Sequence, residues 1–68
     1  MAFNMYKQIP KIQIELEQKG YTKDIPIDIF GKTLMFMFGM KKKTAVNWMK
    51  NFEDLSLIKL NDSKVNFV

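Results

Sequence analysis

Large apolar residues recur at helical spacing past the middle of the chain: Ala45, Trp48, Met49, Phe52 and Leu55 stand at i, i+3, i+4, i+7 and i+10. This spacing gathers them into one stripe of an α-helix, predicted over about 42–55. Lys43, Val46, Asn47, Lys50, Asn51 and Asp54 fall on the surface left over. Nearer the N-terminus, Ile12 and Leu16 share one helical face, with Ile9 just before them. Pro10 suits a first helical turn, where its missing N–H costs nothing, and Gly20 supplies a left-handed stop. The period then changes. Ile25, Ile27 and Ile29 alternate with Pro26 and Asp28, which predicts a short strand that Pro26 confines to a sheet edge. The run LMFMF, Leu34 to Phe38, is apolar on every side; bracketed by Gly31 and Gly39 it fits two helical turns, although periodicity alone also allows a buried strand. Last come Leu57–Leu60 and Lys64–Val68, predicted as two strands around a three-residue turn of Asn61, Asp62 and Ser63. Asn and Asp bond the local backbone and tolerate left-handed geometry, which suits them to that turn.

The predicted order is helix, strand, helix, tight turn, helix, hairpin. It defines an α+β domain over 1–68, with 1–9 as a possible N-terminal arm, in which the hairpin can pair with the strand before the second helix. Sixty-eight residues lie near the lower end of what one hydrophobic core can stabilise alone. At 47% apolar residues the chain is too hydrophobic for a disordered tail. It has no cysteine and no histidine, so disulfides, thiolate and imidazole metal sites and the commonest general base are all missing. Self-association is expected to replace the stability such staples supply.

The same absences bear on catalysis. Nucleophile–base pairs of the Cys–His or Ser–His kind cannot be built. Glu15 and Glu17 point apart on their helix, and Glu53 and Asp54 are adjacent and do not converge. Neither a GxxxxGK[ST] nor a GxGxxG loop is present to cradle phosphates. The expectation is a non-enzymatic protein with no metal, cofactor or small-molecule substrate. No apolar run approaches the roughly 20 residues that span a bilayer, and MAFNMYKQIPK lacks the apolar segment of a secretory signal. A cytoplasmic location is expected. Abundant Lys, Ile and Asn without arginine is the usage of an AT-rich bacterial, phage or plasmid gene.

Charge sharpens the picture. The net charge of +4 rests on eleven lysines, a balance that favours anionic partners. Lys41, Lys42 and Lys43 stand where the helix of the apolar stripe begins, against the positive end of its dipole. They are poorly placed for an isolated helix and well placed for one whose N–H groups meet a phosphate. Behind them Asn47, Lys50 and Asn51 follow along the polar face. Asparagine can bond adenine bidentately in the major groove, lysine can address guanine or a phosphate, and Val46 can meet a thymine methyl. Trp48, which could stack a base, belongs by its spacing to the buried stripe.

The segment GMKKKTAVNWMKNFEDLSLIKL, Gly39 to Leu60, resembles the turn, recognition helix and first wing strand of winged helix-turn-helix DNA-binding domains. Gly39 and Met40 stand at the turn, and Thr44 and Ala45 at the threonine–apolar pair. Met49 and Phe52 match the buried positions, Glu53 the glutamate, and Leu57 and Ile58 the entry to the wing. Lys41 replaces the usual serine N-cap, which weakens the helix start or moves the cap to Thr44. Ser56 replaces the glycine expected after the recognition helix. The resemblance implies a small winged helix and DNA contacts from Lys42, Lys43, Thr44, Asn47 and Lys50. It further implies that a wing over about 57–68 touches DNA through Asn61, Ser63 and Lys64 at its tip. A homodimer on paired half-sites is expected, acting as a transcription regulator or as a replication or partition factor of a phage or plasmid.

One feature belongs to a different class of function. If the second helix buries Leu34, Met35 and Phe38, then Phe36 and Met37 lie on or near its outer side. With Phe3, Met5 and Tyr6 in the arm, they offer enough apolar surface for a dimer or partner interface. The alternative reading is therefore a protein-interaction module on the same scaffold.

Overall fold

Asn4 accepts the Tyr6 N–H on its side chain at 3.0 Å, which caps a 3-10 turn over Met5–Gln8. Helix α1 follows directly over Ile9–Gln18 with Pro10 in its first turn. The structure, a computed structural model, describes residues 4–68 and, at Met5, the backbone alone. Two further helices and three strands complete the fold: β1 (Ile25–Pro26), α2 (Ile27–Phe38), α3 (Lys42–Asp54), β2 (Ile58–Asn61) and β3 (Lys64–Phe67). The arrangement is the expected α+β order of three helices and a small antiparallel sheet with a C-terminal hairpin, compatible with a winged helix-like fold.

The predicted strand over Ile25–Ile29 is mostly helix. Only Ile25 and Pro26 are extended; the chain turns helical at Ile27 and α2 runs twelve residues. Ile27, Phe30, Gly31, Leu34 and Phe38 recur at helical spacing, and Asp28 places a carboxylate in the first turn, where the dipole favours it. Ile27 and Ile29 are half-buried on that helix while Ile25 is buried on the strand. The LMFMF run is the second half of α2. Thr33 is buried in its middle with its hydroxyl satisfied by the Ile29 carbonyl at 2.8 Å.

Strand β3 is the centre of an antiparallel sheet in the order β1–β3–β2. Pro26 occupies an edge, where a missing donor costs no ladder bond. Asn61 pairs with Lys64, so the turn holds two residues, Asp62 and Ser63, one fewer than expected. Both have positive φ, +50° and +61°, the hairpin turn whose twist matches that of the flanking strands. Two ties fix β3 and its turn, one to the start of α2 and one to the loop before β1. The Ile27 N–H donates to the Ser63 carbonyl at 3.0 Å. The Asn66 side chain accepts the Asp24 N–H at 2.8 Å and donates to the Asp24 carboxylate at 3.2 Å.

Every α-helix and strand feeds one core: Ile12 and Leu16 from α1, Ile25 from β1, Phe30 and Leu34 from α2, and Ile58 and Val65 from the hairpin. Helix α3 contributes Ala45, Trp48, Met49 and Phe52. Leu55, expected to extend that stripe, is 52% exposed. The helix ends at Asp54, and Leu55 as C-cap leaves the register that would carry it inward.

Helices α1 and α3 end with the same pair of backbone bonds. In α1, Gly20 N–H donates to the Glu17 carbonyl and Tyr21 N–H to that of Leu16, both at 2.9 Å. In α3, Ser56 N–H donates to Glu53 and Leu57 N–H to Phe52, again at 2.9 Å. This closure needs a left-handed residue after the cap. Gly20 takes φ +91° freely, whereas Ser56 takes φ +60° with a side chain that makes the conformation cost roughly 1–2 kcal/mol. Ser56→Gly is expected to raise the unfolding free energy by about 0.5–1 kcal/mol after glycine's greater entropy loss. The check is the urea midpoint at constant m-value, and an unchanged or lowered midpoint would show that this serine is held without strain.

Candidate nucleic-acid interface

Gly39 ends α2 in the left-handed conformation, φ +63°, and swings the chain so that α3 restarts three residues later. Lys41 is the N-cap, extended and with no side-chain capping bond. Its carbonyl accepts the Ala45 N–H at 3.0 Å, so the cap does not move to Thr44, which lies inside the first turn. Lys41, Lys42, Lys43 and Thr44 are all exposed. Among the described residues the one ion pair is Lys19–Glu15 at 3.9 Å, so no carboxylate neutralises these lysines. Each cation there opposes the dipole by about 0.3–1 kcal/mol at low salt. The other end is reversed too: Glu53 and Asp54 close α3 without a basic residue in the last turn. Helix α3 is thus positive where its dipole is positive and negative where its dipole is negative.

Burial of the stripe fixes what faces outward. At 3.6 residues per turn, Lys43, Asn47, Lys50 and Asp54 lie opposite the core. Thr44 and Asn51 take one flank, and Lys42 and Val46 the other. All eight are exposed, Val46 least at 36%. Trp48 is 9% exposed and packs tilted against Phe38 and edge-on against Phe52, at ring distances of 5.2 and 5.9 Å. It belongs to the core, as its spacing indicates.

The flank carrying Lys42 and Val46 borders a groove whose other wall is α2, with Lys32 on it. Sequence reasoning missed Lys32 as a neighbour of the α3 lysines, because the pairing depends on how α2 packs against α3. The hairpin tip lies near the same side. Ile27 both lines this groove and donates to Ser63, so Asn61, Ser63 and Lys64 are exposed beside the start of α2. The wing is short and held by that bond, and Asp62 and Asp28 temper its charge. The concentrated positive surface is therefore the start of α3, extended across the groove by Lys32.

The apolar residues expected at an interface separate. Phe36 is 79% exposed, with the Lys19 ammonium 5.8 Å from its ring centre. Met37, expected outside, is half-buried against the core, because it shares the face of Phe30, Thr33 and Leu34 at helical spacing. Tyr6 sets its ring edge-on to Phe52 at 6.3 Å while remaining 42% exposed. Phe3 and the Met5 side chain lie outside the described residues.

Among the described residues no cluster of acidic side chains could hold a metal ion, and no helix is long and apolar enough to cross a membrane. No known protein family, curated protein or solved structure matches the chain. The functional reading therefore rests on this surface. Replacing the uncapped lysine by a capping residue, Lys41→Ser, should stabilise the fold by about 1 kcal/mol, with a larger gain at low salt than in 1 M salt, where the dipole term is screened. Thermal unfolding at the two salt concentrations measures this; a loss of stability would mean that Lys41 makes a contact worth more than the cap.

Proposed function

We propose that this protein binds double-stranded DNA by presenting the N-terminal half of α3 to the major groove. The observation that carries the reading is the lysine cluster, unpaired and uncapped at a helix start, continued outward by Lys43, Asn47 and Lys50. A phosphate at that end would meet the free helix N–H groups and the ammonium groups together, turning an unfavourable arrangement into a favourable one. Asn47 is then one turn further in, within the reach that adenine recognition requires, and Lys50 follows. Glu53 and Asp54 would repel the sugar–phosphate backbone, so the helix enters by its first two turns and keeps its C-terminal end clear. Lys32 and the hairpin tip at Asn61, Ser63 and Lys64 supply flanking phosphate contacts. Two copies on paired half-sites would double this small footprint, which suits a regulator or a replication or partition factor of a mobile element, acting in the cytoplasm.

Affinity for random duplex DNA should fall steeply with salt, the logarithmic slope changing by about 0.9 for each phosphate neutralised. Lys42→Ala/Lys43→Ala should flatten that slope by roughly two contacts, and Asp54→Asn should tighten binding by removing a repelling charge. Absence of binding at low salt would overturn the reading. A second reading has its own support in Phe36, 79% exposed on a domain of this size, which favours a protein contact, either a second copy or another protein. Under that reading Phe36→Asp abolishes association in sedimentation equilibrium and leaves the fold intact; an unchanged oligomeric state would reject it.

A further inference from the structure

The groove between α2 and α3 encloses about 420 Å³, within the range of small-molecule sites, which are mostly apolar with a few polar groups. Its walls are apolar, with Ile27 and Met35 from α2 and Val46 and Met49 from α3. Its charged groups are Lys32 and Lys42, one from each helix, against the single carboxylate of Asp28. From Ile27 to Met35 the groove follows α2 for roughly 12 Å at 1.5 Å per residue, the length of a medium alkyl chain.

Gly31 is the second observation. It is buried in the middle of α2 and lines the groove, where glycine costs about 1 kcal/mol relative to alanine. Packing does not require it. An added Cβ would meet one heavy atom within 4 Å, the Cε of Met49 at 3.7 Å, which is ordinary contact. Its backbone needs no positive φ either. What the missing side chain leaves is open volume beside Met49, in the groove that Lys32 and Lys42 also line.

We infer that this groove is a binding site for a small amphiphilic anion. The apolar body lies along Ile27, Gly31, Met35 and Met49, and the anionic head sits between Lys32 and Lys42. The charge complementarity selects the head: the site carries two cations from facing helices and one anion at the α2 start. The inference stands on the groove alone and does not depend on DNA being the partner of α3.

The test is a titration of the full chain with sodium octanoate followed by amide NMR, with 1-octanol as the neutral control. Saturable shifts are expected at Gly31, Lys32 and Val46, with a dissociation constant of about 1 mM or lower. Lys32→Ala/Lys42→Ala should weaken octanoate several-fold and leave octanol unchanged. Gly31→Ala should raise the melting temperature and weaken both ligands, so lost binding cannot be ascribed to unfolding. Three results would each overturn the proposal: no saturable shift, shifts spread equally over the exposed Phe36, Leu55 and Val68, or a Gly31→Ala variant that is equally stable or better and binds octanoate as tightly as the original chain.

Discussion

Burial of the Ala45–Trp48–Met49–Phe52 stripe is the constraint on which the rest of this small domain turns. Phe52 has no exposed surface and Ala45 almost none; the rings of Trp48 and Phe52 meet at 5.9 Å, and Phe38 of α2 meets Trp48 at 5.2 Å. A chain of 68 residues has room for one core, and α3 closes it. Once that face is committed inward, helical geometry leaves no choice about what points outward. Lys43, Asn47 and Lys50 share a line because Ala45, Trp48 and Met49 between them turn inward, leaving Thr44 and Val46 on the flanks. Core and candidate site are two faces of one helix, so a change that rotates α3 alters both.

The ends of α3 show where local stability yields to the pattern of charge. Three lysines at the positive end and two carboxylates at the negative end oppose the dipole by roughly 0.3–1 kcal/mol each at low salt. A domain of this size has a total stability of only about 3–10 kcal/mol. To that is added the left-handed Ser56 at the C-terminal closure, φ +60°. None of this is required by the core, which would pack equally well behind a helix with a serine cap and reversed charges. Helix α1 shares the reversed pattern, with Lys11 in its first turn and Glu15 and Glu17 in its last, so what distinguishes α3 is the run of three lysines at its start and the left-handed Ser56 at its end.

Much of the architecture was legible in the sequence. The α3 stripe, the α1 face with its Gly20 stop, the hairpin and its pairing with the segment before α2 all appear, because each rests on a local period or a turn residue. The strand assigned to Ile25–Ile29 failed because a period of two and a period of 3.6 cannot be separated over five residues when every second one is isoleucine. That error also displaced the start of α2, and with it the face of Met37. Leu55 was misplaced for a related reason: spacing counts positions and does not see that the helix stops at Asp54. The outward residues of α3 followed from the stripe and needed no structure. The groove could not be found from the sequence, since its walls belong to helices whose separation is set by tertiary packing, and Gly31 gave no sign there beyond bracketing an apolar run.

The groove and the outward face of α3 meet along one flank, where Lys42 and Val46 belong to both. An anion held between Lys32 and Lys42 would withdraw a cation from any phosphate approaching the start of α3, and a ligand body over Val46 would obstruct a base edge there. If both ligands bind, their coupling is unfavourable, and linkage requires each to weaken the other by the same factor. The sign follows from geometry alone, without a conformational change, because one ammonium group cannot fully neutralise two anions. A domain this small has little room for a separate regulatory module, and overlap at a shared residue is the simplest way for it to make one binding event depend on another. The overlap also separates the roles of the lysines: Lys43 and Lys50 face outward alone, Lys32 faces the groove, and Lys42 is the residue through which the two surfaces can sense each other.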